Sequence, residues 1–462
     1  MRISNSTESS DSATDKTRTV LEGIVASHPL RNCIRAGIGL LSNPTARKGV
    51  ITLADQAVVS AANFLTGVII GRACTKEEFG LFMLGFSIWL FVMSLQTWLI
   101  LTPYMVYSPR LKTGEHAQYT GSTLIHQLGL SVLAIVALAV GGVALSFGIG
   151  PQGLAPVVWI LVVVITFILL REYIRQISFA NLCFKTALIL DSGVAVVQIG
   201  GLLLLDYLGL LSPSMAYWVL GLACGLAGMG WLVWMRKTFA LQLTRAISDL
   251  VQNWTFGKWV FASGLLWTLS MELYPWILAA FHGTASTGVW AACFEITAIG
   301  NPLLLGMHNF LGPKIAHSYA EGGAMGLRRF VLKASAIFLL MITPICVLLL
   351  VFGGSLVVII YGDKYAGNGL VVSLLALNLM VSTVAFSFSR ALFAMERADV
   401  DFAICFVALF VLLTLGLWLV KAFGPLGAAC GLLAGNTASS AVRYLLFSRM
   451  VRPVSTQGNK LS

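Results

Sequence analysis

Runs of about twenty mainly apolar residues recur along almost the whole chain, each long enough for a helix rising about 1.5 Å per residue to cross a hydrocarbon layer about 30 Å thick. Within lipid the backbone must satisfy its own N–H and C=O groups, so repeated runs of this kind specify helices. The expected fold class is all-α: a polytopic membrane protein of about twelve transmembrane helices. We place the spans at 50–72, 79–102, 118–147, 154–180, 183–206, 214–235, 254–281, 286–311, 329–360, 367–395, 399–420 and 425–448. Composition agrees, with 58% of residues hydrophobic and 11% charged, against about 25% charged in an ordinary soluble domain.

The basic residues test that count. Of 30 Lys and Arg, all but Arg72, Lys76, Lys364 and Lys421 fall on one side of the alternating loops. Cytoplasmic loops collect Lys and Arg, so both termini are expected in the cytoplasm and the protein in the inner, or plasma, membrane. The net charge of +11 therefore reports orientation, and no nucleic-acid partner is expected. Residues 1–49 are polar and rich in Ser and Thr, without the apolar core of a cleavable signal peptide, and read as a mostly disordered tail with a short amphipathic stretch at 33–41. The eight cysteines form no CxxC pair and no Cys/His cluster, so they read as packing residues, with neither metal nor cofactor.

The chain also reads as a duplication. Gly49 matches Gly257, Gly80-Leu81-Phe82 matches Gly288-Val289-Trp290, and Leu101-Thr102-Pro103 matches Leu311-Gly312-Pro313. Gly221 and Gly225 answer Gly427, Gly431 and Gly435, spacings that let helices approach closely. The expected organisation is a tail (1–49), a six-helix bundle (50–236), a cytoplasmic linker (237–253), a second six-helix bundle (254–449) and a tail (450–462), with a central cavity between the bundles. Two such halves are the geometry of alternating access, so a transporter is the leading class. No GxxxxGK[ST] motif is present, which leaves an ion gradient or the substrate's own gradient as the energy source. A membrane glycan polymerase would need a large catalytic loop on the charge-poor side, where the loops are short. No catalytic residues are expected.

Particular residues narrow the class. Asp55-Gln56-Ala57, Asn63-Phe64-Leu65, Arg72 and Glu78-Phe79-Gly80-Leu81-Phe82 run through the first two spans. Arg171, Arg175, Phe179-Ala180, Lys185 and Asp191 follow, then Tyr274-Pro275, Gly312-Pro313 and Phe423-Gly424-Pro425-Leu426-Gly427-Ala428-Ala429. In this order and spacing the chain resembles, over about residues 48–448, the polysaccharide transporter family: the Wzx-type flippases of the multidrug/oligosaccharidyl-lipid/polysaccharide flippase superfamily, which have the MATE-like fold. The resemblance implies flipping of a lipid-linked oligosaccharide between leaflets for O-antigen or exopolysaccharide assembly. Its implied partners are that substrate, membrane lipids and other polysaccharide assembly proteins. A cation-coupled multidrug antiporter of the same superfamily is the alternative.

Charged groups inside the spans are the candidate site. An ionised carboxylate at the centre of an isolated membrane helix costs about 2.5–3.5 kcal/mol, so such groups face a cavity or a partner. Glu272 and Glu295 each lie about nine residues, or about 13 Å, from the charge-poor end of their spans. Side by side they would exchange protons or hold a coupling cation; apart, each would hydrogen-bond to its own neighbouring helix. Pro275 frees the carbonyl of Met271 and kinks the helix beside Glu272. Asp55 and Asp191, near the basic face, are further coupling candidates. For a diphosphate head group the candidates are Arg72, Arg171, Arg175, Lys185 and Arg390, against the plain alternative of side chains reaching to lipid head groups. His126 and His308 are expected to bond to neighbouring helices, and Trp89, Trp98, Trp254 and Trp276 divide between interface anchoring and sugar stacking.

Overall fold

A computed structural model describes residues 44–235, 239–395 and 397–451; Cys33 and the amphipathic stretch expected at 33–41 lie outside them, as does the side chain of His308. The chain separates into a unit ending at Gln56 and a unit beginning at Ala57. Of the first, only the opening of helix α1 (Pro44–Ala73) is described. Among the described residues every regular element is helical.

The helices follow the apolar runs, and side chains cap the starts of two of them, Thr75 before residues 76–96 and Ser212 before residues 213–234. α2 (Lys76–Gln96) starts at Thr75, whose hydroxyl accepts from the Glu78 N–H while the Glu78 carboxylate accepts from the Thr75 N–H, a capping box. A π-turn at Thr97–Leu101 leads through Pro103 into α3 (Thr102–Tyr107) and a short turn at Ser108–Arg110. α4 (Thr113–Ser146), α5 (Leu154–Ala180), α6 (Phe184–Tyr207) and α7 (Pro213–Trp234) complete the first half. The second half comprises α8 (Leu243–Thr297), α9 (Asn301–Tyr361), α10 (Gly369–Ala394), α11 (Ala398–Val411), a π-turn (Leu412–Gly416) and α12 (Leu417–Met450).

Among the described residues ten helices are long and apolar enough to cross a membrane, and two of them, 260–300 and 402–450, are broken at a glycine, which makes twelve crossings, as expected. Gly283 breaks α8 at φ 78°, a conformation that costs glycine little. Beyond it the two arms lie antiparallel: the Thr287 hydroxyl donates to the Pro275 carbonyl at 3.1 Å, and Tyr274 stacks on Trp290. Gly424 breaks α12 in the same way, and Gly323 divides α9.

Within the first half α5 is the central helix, packed on α4, α6 and α7; within the second, α10 packs on α9 and α12. The outward faces are apolar as well. On α4, Val132, Leu133, Val136 and Val140 are more than half exposed, as side chains facing acyl chains should be.

The halves meet where α2 crosses the arm of α8 beyond Gly283. A Cβ on Gly80 would lie 1.8 Å from the Thr284 carbonyl oxygen, and one on Gly288 would lie 2.2 Å from that of Lys76. Lys76 stands to Gly80 as Thr284 stands to Gly288, so the glycines matched by the duplication meet each other in a self-complementary crossing, as at a two-fold interface. Only hydrogen fits there.

Candidate functional site

Among the described residues polar side chains gather at several places in this apolar bundle. The first is a cavity of about 1000 Å³ toward the basic face, walled by α8, α10, α11 and α12 with Trp98 from the first half. Arg390 and Arg443 both line it. The Arg390 guanidinium lies 4.9 Å from the centre of the Phe386 ring and 6.0 Å from that of Phe393. Asn436, Ser439, Ser440 and Arg443 form a polar stripe along α12 at helical spacing, and Ser263, Ser270, Ser382 and Ser389 add hydroxyls from α8 and α10. Trp98, Trp267 and Phe402 supply ring faces, Trp98 resting against Gly264, where a Cβ would lie 2.2 Å from the indole. Exposed Asp399 marks the mouth, where Arg397 donates to its carboxylate at 3.0 and 3.1 Å.

The second region is a buried ionic network in the first half. Asp191 of α6 accepts from Arg171 at 2.6 Å and from Arg175 at 2.7 Å, both on α5 one turn apart. Glu172 lies 3.3 Å from Arg171 and 3.4 Å from Arg175, and accepts from Gln176 at 2.7 Å. Two cations and two anions thus balance in one place. Beside this network are two voids of about 20 and 30 Å³, each with room for a water molecule. Asn63, Trp89, Gln198 and Leu220 line both, and Glu295 closes the second.

The third region is a seam at the charge-poor end. The Arg72 guanidinium donates to the Ile359 carbonyl at 2.7 Å, and the Lys364 ammonium donates to the carbonyls of Arg72, at 3.0 Å, and Cys74. Burial holds the Lys364 ammonium below its ordinary range and pushes the Cys74 thiol up to about 11. Phe79, Tyr361 and Tyr365 pack beneath these contacts. The Tyr361 hydroxyl then donates to Glu295 at 2.5 Å, and a Cβ on Gly67 of α1 would lie 1.9 Å from the same carboxylate. Tightly packed turns of the first half are therefore tied to those of the second.

The sequence candidates divide among these regions. Arg390 faces the cavity, Arg171, Arg175 and Asp191 meet in the network, and Arg72 and Glu295 belong to the seam. Glu272 is half-buried on α8, and no hydrogen bond joins it to Glu295 among the described residues. Lys185 is exposed at the start of α6, and Asp55 lies on α1 within the first unit. His126 donates to the Ala246 carbonyl at 2.7 Å and Trp276 to Ser87 at 2.8 Å, each linking neighbouring helices. Glu172, Gln198, Tyr361, Lys364 and Arg443 were not foreseen. The spacing of Asn436, Ser439, Ser440 and Arg443 along an apolar helix was the available signal for the last.

The profile of a family described as polysaccharide biosynthesis protein matches residues 112–370, more than half of the chain. No curated protein matches it. Among solved structures, a multidrug resistance MATE family transporter of the MOP superfamily in an inward-facing conformation is similar at a TM-score of 0.71 and 14% identity, covering 87% of this chain and 98% of that one. The same description in an outward-facing conformation gives 0.60 at 14% identity, covering 88% and 94%. A MOP superfamily transporter from Pyrococcus furiosus Vc1, whose binding pocket is described as of reversed polarity, gives 0.62 at 15% identity, covering 90% and 98%. These likenesses concern the fold.

Proposed function

The chain belongs to the polysaccharide biosynthesis protein family, and on that basis we propose that it is a flippase carrying a lipid-linked oligosaccharide across the inner membrane by alternating access. The observation that carries this reading is the cavity of about 1000 Å³ that combines two arginines with hydroxyls and ring faces. A diphosphate is bound best by guanidinium groups, which donate in pairs to its oxygens. The serines and Asn436 supply hydrogen bonds for sugar hydroxyls, and the apolar remainder of the wall suits the lipid. With the basic face in the cytoplasm, the cavity lies where such a substrate is made, and the seam between Arg72 and Lys364 closes the other leaflet.

Energy coupling falls to Glu295 in this reading, because this half-buried carboxylate, bonded to Tyr361 within the second half, packs against Gly67 of the first. Rocking the halves apart changes its surroundings, so the carboxylate binds a proton or cation differently in the two states. Glu272→Gln should then keep pH-gradient dependence, while Glu295→Gln loses it in a reconstituted transport assay.

The multidrug antiporter of the same superfamily is the alternative, and Arg390 and Arg443 in the cavity wall oppose it for cationic drugs. Deleting the gene decides between them. The flippase reading expects loss of surface glycan with lipid-linked oligosaccharide retained on the cytoplasmic leaflet, restored by the wild-type chain and not by Arg390→Ala/Arg443→Ala. Drug sensitivity with normal surface glycan would overturn it.

A further inference from the structure

Of the described residues that line the large cavity, Trp98 alone comes from the first half. The sequence places it there by two devices. The π-turn at Thr97–Leu101 interrupts the regular helix after α2, and such turns are found frequently at functional sites. On α8, Gly257 and Gly264 lie about two turns apart and leave the room that Trp98 fills. A Cβ on Gly257 would lie 3.0 Å from the Trp98 carbonyl oxygen, and one on Gly264 would overlap the indole. Phe261, between the two glycines, meets the indole edge to face, with ring centres 5.9 Å apart.

Packing does not use the whole side chain. Trp98 is half-buried, and its indole N–H has no hydrogen-bond partner among the described residues. The N–H groups of Trp89 and Trp231 lack partners too, but they are enclosed, whereas that of Trp98 remains accessible. Trp267, about one turn beyond Gly264, adds a second indole to the wall, and Ser263 and Ser270 add hydroxyls. A pyranose ring suits such a wall: its C–H face packs on an indole, and its hydroxyl oxygens accept from the N–H. We propose that Trp98 reads the glycan of the cargo, binding a sugar ring beside the diphosphate held by Arg390 and Arg443; this rests on the flippase reading and deepens it. The consequence is mechanical, because a ligand shifts a conformational equilibrium only by what it gains in one state over the other. A bare lipid diphosphate on Arg390 and Arg443 is bound by guanidiniums of the second half. A sugar on Trp98 ties the ligand to the first half as well. Only the glycosylated lipid then gains as the basic end narrows around it, so a lipid without its glycan is held but not carried.

The test measures binding of two probes to the purified full-length chain, a polyprenyl diphosphate and the same lipid bearing one N-acetylglucosamine, together with the distance between spin labels across the cavity mouth. The sugar should tighten binding to the wild type about tenfold and shorten that distance, while the bare lipid leaves the distance unchanged. Trp98→Ala should bind the bare lipid as the wild type does but lose both the gain from the sugar and the closure. Trp98→Phe keeps a ring without the N–H and controls for a folding defect; it should retain part of the gain. An undiminished gain in Trp98→Ala, or equal binding of the two probes by the wild type, would overturn the proposal and leave the flippase reading standing. Failure of the wild type to bind either lipid would overturn both.

Discussion

Asp191 holds two arginines with one carboxylate and is almost fully shielded from solvent. Removing one partner of a buried ion pair costs about 3–5 kcal/mol, because the charges left behind have lost both water and counter-ion. Asp191→Ala should therefore lower the melting temperature of the purified protein sharply, and an unchanged transition would mean that the network does not hold α6 to α5. Arg390 faces the cavity and rests on aromatic rings. Arg390→Ala should weaken substrate binding about tenfold or more, the worth of one charge-assisted hydrogen bond at about 1.5–3 kcal/mol. The sequence marked Arg171, Arg175 and Asp191 as charges near the basic face; it could not show that they neutralise one another. Whether residues on two helices meet depends on how each helix is rotated about its axis, and an apolar run leaves that rotation undefined.

Helix α2 and the arm of α8 beyond Gly283 touch backbone to backbone at Gly80 and Gly288. A leucine at Gly80 must displace the Thr284 carbonyl and so wedges the charge-poor seam open. Cys74 reports on this, being buried there with a thiol unreactive at neutral pH. In whole cells of a Cys183→Ser background, which removes the exposed thiol at the basic face, an impermeant maleimide should leave Cys74 largely unlabelled. Gly80→Leu should raise its labelling severalfold, and continued protection would show that the crossing does not govern the seam. Element number and order were legible because apolar length and the asymmetry of basic residues record each crossing. The pairing of Glu272 with Glu295 was not. The hairpin at Gly283 brings Tyr274 to Trp290, but Glu295 turns toward Tyr361 and Gly67 instead.

The contacts at the two ends of the molecule are unequal: one end has the cavity, the other a seam fastened by two cationic side chains on three carbonyls. Each such bond contributes about 1.5–3 kcal/mol, toward the lower figure for exposed Arg72. Reversing a 99:1 preference between two states takes about 5.5 kcal/mol. Arg72 and Lys364 together are thus of the size needed to hold the closed seam; Arg72 with one bond falls short, and Lys364 with two reaches it only at the upper figure. If the halves rock as rigid bodies, opening this end must narrow the other. Spin labels placed across the seam should move apart in Arg72→Ala/Lys364→Ala while labels across the cavity mouth draw together, with each single variant giving a mixture of both distances. A double variant in which the seam widens and the cavity keeps its width would mean that the two ends move independently, and alternating access by rocking would have to be abandoned.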